Sequence, residues 1–151
     1  ATIGSYKAVS EAKKAAEAME SASLVEIASA ELSKGVSKPS SKLLRQNMIK
    51  SGIEVPAFPN AAHHIVAGNT AKASEARAIL EAFGIDINDA ANRVFLPIVK
   101  GISSRAYHPS LHTNSYYDMV NKLLFEATSK EDALDILEYI SSELINGTFT
   151  K

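Results

Sequence analysis

The sequence predicts an α+β protein that is mostly helical, with a short β-hairpin and additional packing helices. Apolar residues recur at helical intervals in several segments, with capping residues before them and glycine after them. Two short segments rich in β-branched and aromatic residues lie between those helices, at positions 53–66 and 94–97. The chain has 151 residues, of which 46% are hydrophobic, so it can form one packed core but is too short for two ordinary domains.

The first third of the chain predicts two helices. Residues 11–34 are rich in Ala, Glu and Lys with apolar positions at helical intervals, and we assign residues 1–40 to an N-terminal helical arm. Ser40, or the serine after it, caps a second helix that ends before Gly52. This second helix begins the main domain, predicted over residues 41–151.

The middle of the chain predicts two strands separated by a helix. The segment "IEVPAFPNAAHHIV" contains two prolines and several β-branched residues, which favour extended backbone. The segment "AKASEARAILEAFG" has one apolar stripe and a terminal glycine, so it predicts a helix. A turn at "NDAAN" then leads into the second strand at "VFLP". We therefore expect a hairpin whose strands are separated by an inserted helix.

A proline near position 110 predicts the start of a further helix. Pro109 suits a first helical turn because its missing N–H would have no partner there, so we expect a helix over residues 109–124. His108 would lie at the start of this helix and His112 one turn into it.

The C-terminal segment predicts one last helix. Ser129 and Asp132 approximate a capping box, the helix extends to about Leu144, and Gly147 lies beyond its end. The sequence contains no internal repeat and no low-complexity segment.

The composition excludes several classes of function. The chain has no cysteine, so disulfides, thiolate metal sites and cysteine nucleophiles are excluded, and any metal must be bound through nitrogen and oxygen. No apolar run is long enough to span a bilayer and no secretory signal is visible, so we expect a soluble chain with no membrane partner. The formal net charge of -1 argues against a polyanion as partner.

The four histidines form two pairs that differ in geometry. His63 and His64 are adjacent on a predicted strand, so their side chains point to opposite faces. His108 and His112 are four residues apart on a predicted helix, so they can reach one ion together. Three imidazoles on one ion leave a coordination position open, as catalytic sites do, and the remaining histidine can accept a proton near neutral pH. Imidazole ligation favours zinc, nickel, cobalt or manganese, and magnesium stays a candidate.

Three ordered motifs resemble one known family. The segments "AHHIV" (62–66), "DAANRVFLP" (89–97) and "YHPSLHTNSYYDMV" (107–120) resemble the AHH nucleases, a branch of the HNH or ββα-metal endonuclease superfamily. The resemblance spans about residues 43–124 and implies a ββα-metal fold. It implies a metal-dependent endonuclease that hydrolyses phosphodiester bonds, with a nucleic acid as its substrate and one divalent ion as its cofactor.

The resemblance also implies a role for individual residues. His64 would activate the attacking water. Asn92 matches the central asparagine of the superfamily, which spans the loop of the ββα unit and orients the general base, and Asn88 is the second candidate for that task. One departure from the pattern is the helix inserted between the two strands. The implied metal ligands are His63, His108 and His112.

Substrate contacts are expected from residues around these motifs. Arg93 and Arg105 are the better candidates for phosphate contacts, because they lie close to Asn92 and to His108 in the sequence. Tyr116 shares a helical face with His112 and could stack on a base or buttress the imidazole. Weaker candidates for phosphate contacts are Lys72, Arg77 and Lys100.

The same resemblance suggests a biological setting. Members of the family occur as C-terminal toxin domains of bacterial polymorphic toxins, so we expect a toxin or effector that is delivered or secreted, acts in the target-cell cytoplasm and is neutralised by a cognate immunity protein. Non-specific cleavage of DNA is favoured over RNA. Two alternatives stay open: a ribonuclease with the same site, and a non-catalytic binding module stabilised by zinc. A metalloprotease is disfavoured, because proline follows His108 where an HExxH helix needs glutamate.

Overall fold

The structure is a computed structural model that describes residues 38–149. The predicted helix at 11–34 and most of the arm assigned to residues 1–40 lie outside the described residues. The elements in chain order are helix α1 (Ser41–Lys50), strand β1 (Asn60–His64), a 3₁₀ turn (Ala71–Ala73), helix α2 (Ser74–Ala82), strand β2 (Arg93–Pro97), a second 3₁₀ turn (His108–Leu111), helix α3 (Asn114–Phe125) and helix α4 (Lys130–Asn146).

The two strands form the predicted hairpin with a helix inserted between them. They pair antiparallel, with His63 opposite Val94 and His64 opposite Arg93. Because side chains alternate along a strand, His64 and Arg93 project from one face of the hairpin and His63 and Val94 from the other. The α+β class is confirmed, and the hairpin followed by α3 provides the ββα unit.

Serine caps explain where helices α1 and α4 begin, as the sequence predicts. The Ser40 side chain accepts a hydrogen bond from the backbone of α1, and the Ser129 side chain accepts one from Asp132 N at the start of α4. Gly147 ends α4 in the left-handed conformation, with φ of 72°. These predictions are confirmed, with α4 extending to Asn146 instead of ending at about residue 144.

The helix predicted over residues 109–124 is wrong in its first turn. Residues 108–111 form a 3₁₀ turn, and α3 begins after Thr113. The Thr113 side chain accepts a hydrogen bond from Tyr116 N, which makes Thr113 a helix cap and lets the chain change direction before it. His108 and His112 therefore lie on the segment that leads into α3 and do not share one turn of an α-helix.

Two apolar clusters pack on opposite faces of the hairpin. The larger cluster joins α2, α3 and α4 to one face, where Val94 and Leu96 are buried. The smaller cluster packs α1 on the other face through Leu44 and Met48, which meet Phe95. The hairpin is therefore packed on both faces. Within residues 38–149, no helix is both long and apolar enough to cross a membrane.

Candidate active site

The four histidines line one cleft of about 350 Å³ at the edge of β1. His63 and His64 come from the end of β1, and His108 and His112 come from the segment before α3. The structure thus brings the two pairs together from positions more than 40 residues apart in the sequence. The other residues that line the cleft are small, apolar or neutral and polar: Pro39, Ser41, Ala62, Ala67, Gly68, Asn69, Thr70, Leu111, Tyr116 and Tyr117.

His63 is buried and bonded to Tyr116. Its Nε2 atom lies 2.7 Å from the Tyr116 hydroxyl oxygen, and its ring lies at an edge-to-face angle to His108 with 5.1 Å between centroids. Burial lowers the pKa of His63 well below its usual value, and the nearby imidazoles of His108, His64 and His112 lower it further. A neutral imidazole is the protonation state that a metal ion requires of a histidine ligand.

His108 and His112 lie on the other wall of the cleft. Their ring centroids are 5.7 Å apart, and the Nδ1 atom of His112 lies 3.2 Å from the Tyr117 hydroxyl oxygen. Burial, with a smaller contribution from His112, lowers the pKa of His108. The side chain of His112 is exposed, so this wall of the cleft opens to solvent.

Two of the ring pairs, His63 with His108 and His108 with His112, have the spacing of ligands on one ion. Two imidazoles bound at about 2.1 Å to a tetrahedral ion would have centroids roughly 5 Å apart, close to the 5.1 and 5.7 Å seen here. Among the residues that the structure describes, no group of three His, Cys, Asp or Glu side chains has its donors positioned to hold a metal. With His63 held by its bond to Tyr116, binding of one ion by His63, His108 and His112 would need a rotamer change at His108 or His112.

His64 is held by Asn88. The His64 Nε2 atom lies 2.9 Å from Asn88 Oδ1. The Asn88 amide has a defined orientation because its Oδ1 accepts from Ser40 N and its Nδ2 donates to Lys38 O. Since Oδ1 can only accept, Nε2 of His64 must carry the proton, and Nδ1 of the neutral ring is left as the basic nitrogen. Burial lowers the pKa of His64, and the bond to Asn88 partly offsets this.

The Asn92 side chain bonds to the backbone at both ends of the inserted segment. It is fully buried; its Oδ1 accepts from Val66 N, and its Nδ2 donates to Val66 O and Ile87 O. The expectation that this asparagine spans the loop of the ββα unit agrees with these contacts. Its expected contact with the general base is not seen, because its polar atoms are already used by the backbone on both sides of the insertion.

The three predicted substrate residues differ in their surroundings. Arg93 is half-buried on the same face of the hairpin as His64, and its side chain has no hydrogen-bond or ion-pair partner among residues 38–149. Arg105 donates to Phe95 O and lies over the Phe58 ring. Tyr116 is 2% exposed, which leaves no ring face for stacking on a base.

The weaker candidates for phosphate contacts also differ in their surroundings. The Arg77 guanidinium donates to Ala67 O and Thr70 O, so it supports the loop beside the cleft. Lys72 and Lys100 are exposed.

Sequence reasoning missed the contacts that support the histidines. Residues 38–40, assigned to the N-terminal arm, bond to Asn88 and pack against Gly68, where an added Cβ would overlap the Pro39 ring. The contacts of residues 38–40 with Asn88 join positions about 50 residues apart. The only sequence signals for the contacts of residues 38–40 were Gly68 and Asn88, which lie in turn-like segments.

The domain contains a β-hairpin that is packed by helices and followed by α3. One cleft contains a histidine pair from β1 and a second pair from the segment before α3. These features define an α+β domain of the ββα-metal nuclease class. Comparison with known families agrees. Residues 44–144 match the AHH family, described as a nuclease family of the HNH/ENDO VII superfamily with conserved AHH.

The match covers well over half of the chain, so this protein belongs to the AHH nuclease family. The Ala-His-His for which the family is named corresponds here to Ala62, His63 and His64. No curated protein and no solved structure matches this chain.

Proposed function

We propose that this protein is a metal-dependent endonuclease that hydrolyses phosphodiester bonds, with His64 as general base and His63, His108 and His112 as ligands of one divalent ion. The observation that carries the proposal is the position of His64, oriented by Asn88, in the same cleft as three further imidazoles. Membership of a nuclease family supports a nucleic acid as substrate.

His64 has the protonation state that a general base needs. Its lowered pKa keeps the ring neutral near pH 7, and the orientation of the Asn88 amide leaves Nδ1 free to take a proton from water. The water oxygen then forms a bond to phosphorus, and the bond from phosphorus to the leaving sugar oxygen breaks. The Asn88 oxygen accepts from Nε2–H throughout, so it stabilises the charge on the imidazolium that forms.

The ligand set proposed for the ion consists of neutral imidazoles alone. Such a set suits zinc, nickel or manganese better than magnesium, which prefers oxygen ligands. When bound, a divalent ion supplies a positive charge that stabilises the negative charge on the phosphate and on the leaving oxygen. Three protein ligands leave room in the coordination sphere for a phosphate oxygen.

Arg93 is the best-supported phosphate contact. It lies directly opposite His64 on the same face of the hairpin, and its guanidinium is not used by the described part of the fold. Arg105 is proposed in a weaker role, because its guanidinium already donates to Phe95 O. Tyr116 is buried, so it is not proposed as a base-stacking residue.

The test is cleavage of supercoiled plasmid DNA and of total RNA by the purified chain, with zinc, nickel, manganese or magnesium and with EDTA. We expect cleavage with at least one ion and none with EDTA. His64→Ala should lower the rate about 10²- to 10⁴-fold and retain ion binding, whereas His108→Ala should lose ion affinity. Lys130→Ala, at an exposed position on α4, is the matched control.

The pattern of cleavage separates the remaining alternatives. Cleavage of RNA with intact plasmid would make the protein a ribonuclease with the same site. Ion binding without cleavage of either substrate would favour the zinc-stabilised binding module and would contradict the enzyme proposal. Equal rates for His64→Ala and the unmodified chain would contradict the role of His64 as base.

We further propose that this nuclease is a bacterial toxin or effector domain, delivered to the cytoplasm of a target cell and neutralised by an immunity protein. The support is the resemblance of the three sequence motifs, two of which contain the histidines, to toxin domains. Expression in bacterial cytoplasm should arrest growth and degrade the chromosome, and the His64→Ala variant should be tolerated. Growth equal to that of the His64→Ala strain, at equal protein level, would contradict a toxic activity.

A further inference from the structure

We propose that Tyr116 is a positioning residue that keeps His63 in a single tautomer, with the proton on Nε2 and the lone pair of Nδ1 available to a divalent cation. The inference rests on the proposed function, because it concerns a ligand of the same site. The sequence predicts that Tyr116 stacks on a base or supports the imidazole of His112, whereas its hydroxyl lies against His63.

The hydrogen bonds around the Tyr116 hydroxyl determine where each proton lies. A phenol has one proton, and the Tyr116 hydroxyl donates it to Ile65 O at 2.7 Å, because a carbonyl can only accept. The same oxygen lies 2.7 Å from His63 Nε2. With its own proton already donated, the Tyr116 oxygen must accept, so Nε2 of His63 must carry a proton. The neutral ring then has its lone pair on Nδ1.

Burial leaves the pair little freedom to rearrange. Tyr116 is 2% exposed and His63 is 6% exposed, so water has poor access to replace either partner. The Tyr116 ring packs edge to face against Tyr117 and Phe149, with centroids 5.6 Å away in each case. Turning either ring would leave Ile65 O or Nε2–H without a partner in the interior, which is unfavourable.

The Tyr116 hydroxyl also connects the end of β1 to the start of α3, the two elements beside the histidine pairs. Ile65 follows the last residue of β1, whereas Tyr116 lies in the first turn of α3, after the cap at Thr113. One hydroxyl therefore fixes both the path of the chain beyond the doubled histidine and the orientation of the first ring. Outer-shell partners of this kind orient ligand histidines and contribute about 10- to 100-fold to metal affinity.

The first test uses metal-free protein in EDTA, labelled with ¹⁵N at histidine, and reads the tautomer of His63 by NMR. We expect a protonated Nε2 and an unprotonated Nδ1, with the Nε2 proton protected from exchange. Addition of zinc after removal of EDTA should then change mainly the Nδ1 resonance. A proton on Nδ1 in the metal-free protein, or a zinc-induced change confined to Nε2, would overturn the proposal.

The second test compares Tyr116→Phe with Tyr139→Phe by zinc titration. Tyr139 is the matched control because its hydroxyl donates to Glu143 on α4, outside the residues that line the cleft. Tyr116→Phe should lose the protected Nε2 proton and bind zinc about 10- to 100-fold more weakly, while Tyr139→Phe should bind like the unmodified chain. Equal affinities in a folded Tyr116→Phe would contradict the role. If that variant unfolds, the tautomer of His63 in the unmodified chain still tests the proposed role of Tyr116.

These measurements are independent of catalysis. A protein that shows the expected tautomer and zinc dependence but cuts neither DNA nor RNA would refute the proposed function and retain the role of Tyr116. A protein that cuts nucleic acid but has the proton of His63 on Nδ1 would support the proposed function and refute the role of Tyr116.

Discussion

Replacement of Asn88 by alanine should reduce activity far more than its effect on stability explains. The variant removes the hydrogen bond to His64 and leaves Ser40 N and Lys38 O without the partners they have at 2.9 and 2.8 Å. Each orphaned group costs about 1–3 kcal/mol when buried, and these two are partly buried, so we expect roughly 2–4 kcal/mol of lost stability. The domain should still fold below its new denaturation midpoint.

The loss of orientation at His64 acts on the rate instead. General-base assistance contributes about 10²- to 10⁴-fold to the rate. In Asn88→Ala the His64 imidazole is still present but is no longer oriented by Asn88, so part of this rate enhancement should be lost. We expect the cleavage rate of Asn88→Ala to fall roughly 10- to 100-fold at saturating ion, with ion affinity unchanged. The rate is measured on plasmid DNA, and stability is measured by urea denaturation.

Asn121 provides a matched control for this prediction. Its Oδ1 accepts from Ala76 N and its Nδ2 donates to Lys72 O, so it bridges two backbone groups as Asn88 does, but it lies outside the cleft lining. Asn121→Ala should lose comparable stability and keep its cleavage rate when the rate is corrected for the folded fraction. If both variants cleaved equally fast, Asn88 would be a structural residue and the assignment of His64 would lose its main support.

Three further predictions concern the scaffold and the substrate. Asn92→Ala should destabilise the domain by about 3–5 kcal/mol in urea denaturation, because a fully buried amide leaves three backbone groups unpaired; a loss below 1 kcal/mol would contradict its role in closing the insertion. Gly68→Ala should cost about 1–3 kcal/mol in the same assay, because the new methyl group overlaps the rigid Pro39 ring, and unchanged stability would argue against that packing. Arg93→Ala should weaken DNA binding and lower the slope of its salt dependence by about one, whereas Lys130→Ala should not; equal slopes in a binding titration would remove Arg93 from the phosphate contacts.

Local patterns in the sequence were sufficient for most of the fold. Helices α1 and α4 follow from serine caps, and the hairpin follows from two extended segments with a strongly periodic helix between them. The first turn of the helix expected from residue 109 was wrong, because Pro109 and Thr113 are both good N-terminal residues and the sequence alone gives no means to choose between them. Thr113 starts the α-helix, and Pro109 starts a 3₁₀ turn instead.

The supporting contacts of the site were harder to predict for a physical reason. His64 meets Asn88 across 24 residues, His63 meets Tyr116 across 53, and Asn88 meets Lys38 across 50. Helical or strand periodicity reports which residues share a face within one element, and it carries no information about which elements meet. The four histidines could be singled out because their residue type implies chemistry, whereas an asparagine or tyrosine acquires its task from the partner that the fold provides.

The charge of the cleft bears on how such a nuclease would hold its substrate. Within the described residues, no lysine, arginine, aspartate or glutamate lines the cleft, and the whole chain has a net charge of -1. A phosphate entering it would therefore meet little positive charge from the protein, and the proposed divalent ion would be the main attraction at the scissile group. Affinity from outside the cleft would depend on a few cations such as Arg93, so binding should be weak and have a shallow salt dependence. That balance would suit cleavage without sequence preference, because the proposed ion and its imidazole ligands would contact the phosphodiester and make no contact with the base edges.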